Sequence, residues 1–388
     1  MGAAQRGAKP PCPRRRLPTG PYPSMALHLT SLTLGQFRSH KRSAAGFDGR
    51  PVVLTGANGA GKTNLLEAIS LLAPGRGLRR AAPEDLARRN GDTGWLVTAS
   101  LVRAKLPHEI ETGAQPGEPR RVRIDGKAAT QAALGRLVPM LWLTPAMDRL
   151  WIEAPEGRRR FLDRMVLAFR PDHAEQALAY EKAMRERNRL LRDGIDNPAW
   201  HGALEAQMAQ AGARMSAARR WLLARLAQEV KDSDAFPAAD LTLDCSAPES
   251  AEGLARALAE GRGRDMAAGR SLTGPHRADL GAFWAARAMP AAQCSTGEQK
   301  ALLISVVLAH ARALTQDQGM PPILLMDELA AHLDAERRAA LFDALCALGA
   351  QAFLTGTEPE LFTALGPRAQ HFALTDTAEG AQLCEGAP

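Results

Sequence analysis

Apolar and polar residues change their period several times along the chain, and each change marks an element. Leu27, Leu29, Leu32 and Leu34 mostly alternate with polar neighbours, which predicts a half-buried strand over residues 26–34. Phe37-Arg38-Ser39-His40 follows, and Gly46-Phe47-Asp48-Gly49 reads as a turn, so the opening predicts a small antiparallel ribbon. Residues 51–55, Pro-Val-Val-Leu-Thr, form a short β-branched run bounded by Pro and Gly. Behind it, Leu65, Leu66, Ile69 and Leu72 share one face of a helix over residues 62–73. A Pro/Gly-rich break over residues 74–80 ends that helix, with a short helical piece expected at 85–89. Strand patterns return at 96–102, at 121–124 before an Asp125-Gly126 hairpin turn, and at 137–143, with an exposed loop expected at 113–119.

From residue 156 the pattern becomes helical and charged. One helix is predicted over 172–192, ended by Asp193-Gly194 and Asn197-Pro198. In a second, Trp200, Leu204, Met208, Ala211, Met215, Ala218, Leu222, Leu226 and Val230 recur at steps of three and four, a seam that needs a partner helix. The remainder alternates: an apolar helix over 301–314, a strand over 323–328, a helix over 335–348, a strand over 351–355, and edge structure around 371–374.

Chemistry concentrates where strand meets helix. Gly56, Ala57, Asn58, Gly59, Ala60, Gly61, Lys62, Thr63 and Asn64 fit the phosphate-loop pattern, with the flanking strand and helix that the pattern requires. The glycines let successive N–H groups turn inward around phosphate oxygens at a helix N-terminus. Lys62 would reach the terminal phosphates, and the Thr63 hydroxyl would face Mg²⁺. A triphosphate is the expected ligand. Arg38 lies close enough in sequence to be either a phosphate contact or a solvated surface residue.

A second group of motifs lies beyond residue 270. Residues 323–328 end an apolar strand in Asp327 and Glu328, where parallel sheets place ligands. Asp327 would hold Mg²⁺ and Glu328 would orient or deprotonate the attacking water. Ser295, Thr296, Gly297, Glu298, Gln299 and Lys300 precede an apolar helix, with Ser295 as N-cap and Glu298 closing a capping box. Local physics makes this a helix start; a hydroxyl, glycine N–H and a positive helix end also make it an anion site.

Charge changes this picture only locally. Of the 388 residues, 49 are Lys or Arg and 42 Asp or Glu; five of the basic residues lie in the first 24 positions with no acid, leaving 44 against 42 beyond them. That Pro/Gly/Arg-rich stretch has no apolar h-region and is expected to be a disordered tail, with Met25 a candidate start. The five cysteines are scattered and suit a reducing cytoplasm, and no run approaches membrane-spanning length. On the helical stretch, Arg185, Arg189 and Arg192 share one face and Arg219 and Arg220 extend it, either as a phosphate-binding surface or as a solvated face offset by Glu181, Asp193 and Glu205. Without interleaved aromatics, duplex backbone contact fits better than base stacking.

The phosphate loop, the Ser295 signature, the Asp327-Glu328 strand end and the Leu333-Asp334 turn, in this order, resemble an ATPase head of the ABC superclass. Residues 37–40, 71–80, 158–163, Gly274-Pro-His-Arg277 and Thr355-Gly-Thr357 narrow the resemblance to the RecF family, over residues 25–374. It implies an α/β, ABC-type P-loop ATPase head assembled from both chain ends (25–150 and 266–388) with an inserted, mainly helical arm (151–265). It implies a weak ATPase that uses ATP and Mg²⁺, dimerises on ATP, binds duplex or gapped DNA, and acts with RecR and RecO to load RecA and support the SOS response. Ser295, Gly297, Glu298 and Gln299 would then act in trans, and Asp334 would lie at the dimer seam. No glutamine loop is visible, and Thr355 to Thr357 stand where transport ATPases carry a switch histidine. The competing reading is an ABC-type subunit that drives a protein or membrane partner; the long insert and the missing histidine disfavour it.

Overall fold

The computed structural model describes residues 27–88, 93–230, 235–377 and 380–386; the expected N-terminal tail and Met25 lie outside them. The first lobe is an antiparallel sheet. β1 (Leu27–Phe37) turns at Arg38-Ser39 into β2 (His40–Gly46), and the chain continues through β3 (Val52–Thr55) into α1 (Lys62–Ser70). The ribbon is completed by β4 (Trp95–Arg103), β5 (Leu106–Ala114), β6 (Arg121–Ile124) and β7 (Lys127–Ala129), in the order β2-β1-β4-β5-β6-β7. Its inner face buries Leu29, Leu34, Val97 and Ile110 against α1 residues Leu65, Leu66 and Ile69.

β5 was not legible. Its first half is exposed and its apolar residues do not alternate, but Gly113 and Ala114, expected in a loop, pair with Leu96 and Trp95. Likewise only Met140–Leu143 of the expected 137–143 strand is extended (β8). The preceding residues form α2 (Gln131–Leu137), whose start is fixed by the Thr130 hydroxyl accepting from the Ala133 N–H at 3.3 Å. α1 ends at Ser70, three residues short of the expected end, in overlapping turns over Leu71 to Ala73.

The helical stretch contains α3 (Pro155–Phe169), α4 (His173–Arg192) and α5 (Pro198–Ala227). After them come β9 (Ala239–Asp244), α6 (Ala251–Glu260), α7 (Arg262–Ala268), β10 (Asp279–Trp284) and β11 (Met289–Pro290). The three strands form a small sheet, β11-β10-β9, absent from the sequence expectation. The insert has a divided allegiance. Tyr180, Met208, Ala211, Met215, Leu254 and Leu258 make a separate small core, whereas α3 (Phe161, Leu162, Met165) and the end of α5 (Leu222, Leu226) belong to the main core. Met208 to Leu226 form the expected seam; Trp200 does not, being 57% exposed.

Two charge assignments are corrected. Arg219 is not part of a basic surface: it is buried, donates to both Asp163 oxygens at 2.8 Å and to Pro275 O at 2.7 Å. Glu205 does not offset a solvated face: it is buried and receives Arg187 and Arg262. Arg187 itself, absent from the expected basic face, is fully buried between Glu205 and Asp265 (2.6 Å), with Ser271 and Leu258 O completing its donors. A helix carrying Arg at 185, 187, 189 and 192 cannot point all four outward, and the one that turns in is the one met by two acids.

The chain ends by returning to the first lobe. α8 (Thr296–Gln318), β12 (Ile323–Met326), α9 (Ala335–Leu348), β13 (Ala352–Gly356), β14 (Gln370–Thr377) and β15 (Gly380–Glu385) follow one another. They join the early strands in a second six-stranded sheet, β15-β14-β3-β13-β12-β8, parallel except for β15. β3, β8, β12 and β13 are buried on both faces, as parallel strands covered by helices must be. This pairing places the loop after β3 beside the carboxyl ends of β12 and β13.

Candidate active site

The loop between β3 and α1 is shaped by backbone proximity. Gly56 has φ 153°, and a Cβ there would lie 2.4 Å from Leu374 O on β14; Gly61 has φ 99°, and a Cβ would meet Ser39 Oγ at 2.8 Å. No side chain fits either place. Under the loop sits His40, buried, with Nδ1 against Ser43 Oγ (2.8 Å) and Nε2 near Gly61 O (3.4 Å); burial pushes its pKa below the ordinary value. Lys62 donates to Gly56 O at 2.7 Å and Ala57 O at 3.0 Å, so its ammonium is folded over the loop's mouth. Burial lowers its pKa, opposed by the charges of Glu328 and Asp327.

Across from the lysine the two acids are organised by threonines. Thr63 Oγ1 donates to Asp327 Oδ1 at 3.0 Å and Thr355 Oγ1 donates to the same oxygen at 2.8 Å. The Thr355 hydroxyl also accepts from the Glu328 N–H at 2.8 Å. Asp327 is 6% exposed, and burial raises its pKa, with the two hydroxyls pulling the other way. Glu328 carries φ 52°, a left-handed conformation that costs a non-glycine residue about 1 kcal/mol or more. Held there, Glu328 turns away directly after Asp327, whose N–H still pairs with Leu143 O at 2.9 Å. In the sequence Thr355 stood out as part of the family resemblance and where a histidine is missing, without a role of its own; its position at the end of a buried parallel strand is the signal that could have marked one.

Arg38, expected to be either a phosphate contact or a solvated surface residue, is tied to α1. Its guanidinium is bidentate to Glu67 of α1 at 2.9 and 3.0 Å, a carboxylate with no exposure that also draws Arg79 to 3.6 Å. Arg79 in turn donates to Asn64 Oδ1 at 2.8 Å, and Asn64 donates to Ser39 Oγ at 2.8 Å. These bonds tie the β1–β2 turn to the first turns of α1.

The Ser295 segment forms the capping box. The Ser295 side chain accepts from the Glu298 N–H, while Glu298 accepts from Ser295 N at 2.8 Å and Ser295 Oγ at 2.9 Å. Arg287, stacked on Trp284, pairs with Glu298 at 2.9 Å. Gln299 is buried and donates to Cys294 O at 2.9 Å, bracing the turn. A Cβ on Gly297 would meet only Arg337 Nη1, at 3.9 Å, so the backbone there is open to close approach. Asp334 is exposed and caps α9, accepting from the Arg337 N–H at 2.8 Å. Among the described residues, no hydrogen bond or ion pair joins Ser295, Gly297 or Asp334 to the loop at residues 56–64.

Residues 28–377 match the RecF/RecN/SMC N terminal domain family. The "DNA replication and repair protein RecF" of Mesorhizobium japonicum is 51% identical over 359 residues, covering 88% of this chain and 95% of that protein. Its Rhizobium johnstonii counterpart is 49% identical over 363 residues, covering 90% and 97%. The chain belongs to the RecF family of DNA replication and repair proteins. The fold agrees: a solved structure of the recombination mediator protein RecF with ATP superposes with a TM-score of 0.79 at 21% identity, covering 95% of this chain and all of that one. The Smc head domain from Pyrococcus furiosus follows at 0.54 and 14%. The RecF chain is therefore an α/β, ABC-type P-loop ATPase head assembled from both ends of the sequence. No helix among the described residues is long and apolar enough to cross a membrane.

Proposed function

We propose that this RecF-family chain binds ATP at residues 56–64, dimerises around it, hydrolyses it slowly, and thereby controls its grip on DNA during replication and recombinational repair. The observation that carries the reading is that, among the described residues, no hydrogen bond or ion pair joins Ser295 or Gly297 to the phosphate loop, while the Gly297 backbone is exposed and open to close approach. A second copy completes the site.

In this reading the N–H groups of the loop and the Lys62 ammonium take the phosphates, Lys62 exchanging the Gly56 and Ala57 carbonyls for phosphate oxygens. Thr63 and Asp327 offer hard oxygen donors bonded to each other, a set that suits Mg²⁺. The ion, when bound, neutralises charge on the phosphate oxygens. Asp327, buried and raised in pKa, recovers a charged partner there. Glu328 orients or deprotonates the attacking water. The partner's copy of the signature segment, capped by Ser295, would face the terminal phosphate with a hydroxyl and a positive helix end. Glu298 holds that hydroxyl before the partner arrives, and Asp334, which caps α9 through Arg337, the side chain nearest Gly297, would meet the seam. Exposed Arg185, Arg189 and Arg192 on α4 would contact the DNA backbone, Arg189 leaving Glu186 (3.2 Å) to do so. RecR, RecO and RecA would be partners in loading at gaps, in the cytoplasm.

The test is molecular mass and DNA affinity on duplex and gapped substrates, with and without ATP and Mg²⁺. A dimer that forms with ATP and binds DNA more tightly supports the reading, and Lys62→Ala should lose both responses. Dimerisation without DNA affinity would move the function to a protein partner.

A further inference from the structure

Beside the nucleotide site, a cavity of ≈ 200 Å³ lies between the segment that follows α1, the end of β8 with the residues after it, and α3. Arg80, Arg160 and Arg164 line it, together with Trp142, Phe161 and a carboxylate, Glu153. Its cations outnumber its anions. Glu153 faces Arg149 at 3.7 Å, and neighbouring Glu156 is shared between Arg80 (3.7 Å) and Arg160. Among the described residues Arg164 makes no hydrogen bond or ion pair, and its guanidinium carbon lies over the Trp142 ring, 3.1 Å from the centroid. Burial, with Arg80 nearby, pulls its pKa down to about 9. An enclosed guanidinium without an anion is costly, and a planar cation stacked on an indole keeps its N–H edge free for one.

The place matters as much as the charge. Thr144 of the lining follows Leu143, whose carbonyl accepts the Asp327 N–H at 2.9 Å, and Leu78 is fastened to α1 through Ser70 Oγ at 2.7 Å. Arg80 adopts φ 59° at the cavity's mouth. The apolar flanks, Trp142, Leu78 and Phe161, suit the carbons of a sugar, and the space is too small for a nucleoside triphosphate.

We propose that the Arg80–Arg160–Arg164 cavity is a phosphodiester site, seating one backbone phosphate of DNA beside the nucleotide site. It rests on the DNA-binding reading above and adds a contact apart from the α4 arginines. Arg80 and Arg160 are on the rim, with side chains 53% and 43% exposed, so their replacement leaves the core intact. Binding of a labelled duplex oligonucleotide is measured by anisotropy across a salt series, with ATP affinity measured on the same samples. The double variant Arg80→Gln/Arg160→Gln should bind duplex roughly tenfold more weakly and lower the salt slope by about one, with ATP affinity unchanged. Glu156→Gln, which frees both rim arginines, should tighten duplex binding, a gain that a purely structural cluster would not give. Unchanged affinity and slope in the double variant, beside a wild type that binds, overturns the site while leaving the DNA reading standing. A loss of ATP affinity with an unchanged slope assigns the cavity to the nucleotide and also overturns it. A wild type that binds no duplex even at low salt overturns both.

Discussion

Thr355→Val isolates the device that organises the two acids. The substitution keeps the shape of a side chain that is 1% exposed, but removes the hydroxyl that donates to Asp327 Oδ1 and accepts from the Glu328 N–H, each at 2.8 Å. The orphaned N–H costs about 1–3 kcal/mol, and the lost bond to a carboxylate about 1.5–3 kcal/mol. Thr63 still serves the same Asp327 oxygen, so the expected total is about 3 kcal/mol, read as a lower urea midpoint at unchanged slope. The Thr355 hydroxyl is also the largest influence lowering the Asp327 pKa, so its loss raises that pKa further. Protons then compete with Mg²⁺ at a higher pH, and the acid limb of ATP hydrolysis should shift upward. With the Glu328 backbone no longer anchored at φ 52°, hydrolysis should fall by on the order of 10²-fold. Thr355→Ser should restore most of both. A valine variant with the wild-type midpoint and pH profile would refute the assignment of Thr355 as the bridge between the acids.

Glu328→Gln should keep ATP binding, slow hydrolysis and accumulate dimer by sedimentation; wild-type turnover removes Glu328 from the mechanism. Arg185→Glu with Arg189→Glu, both exposed on α4, should weaken duplex binding at low salt, and unaltered affinity would move the footprint elsewhere. His276 and His310 are each held near a pKa of about 4 by burial, with Ser271 O and Met165 O as their partial compensation. Depressed histidine pKa values mean that the unfolded chain binds protons first as pH falls below about 6.5. Stability should therefore be lost between pH 6.5 and 4, by roughly 3 kcal/mol per histidine, and His310→Gln should flatten that slope in urea melts.

Much of the head was legible because its chemistry is local. A phosphate loop needs glycines, a lysine and a hydroxyl at fixed spacing between a strand and a helix, and residues 51–70 carry all of it. The capping box at Ser295, and α9 over the expected 335–348, are likewise short-range matters of side chain to backbone. β5 failed because its pairing with β4, not its own pattern, makes it a strand. Arg219 failed, and Arg38 stayed open between two readings, for a related reason: a charged side chain in sequence has no sign of whether an acid from another element will meet it, as Asp163 and Glu67 do.

The sequence alone determined where the phosphate-loop pattern, the acids, the capping serine and the long helices lie, since each follows from neighbours within a few positions. Only the tertiary structure decided that β3, from the first sixth of the chain, lies between β13 and β14 from the last. It alone put Thr63 and Asp327, 264 residues apart, at 3.0 Å. It also decided that Thr355 joins the acids and that Arg164 meets none among the described residues. Parallel strands pair through backbone groups that every residue shares, so their register and order are set by which buried faces fit together across the whole chain.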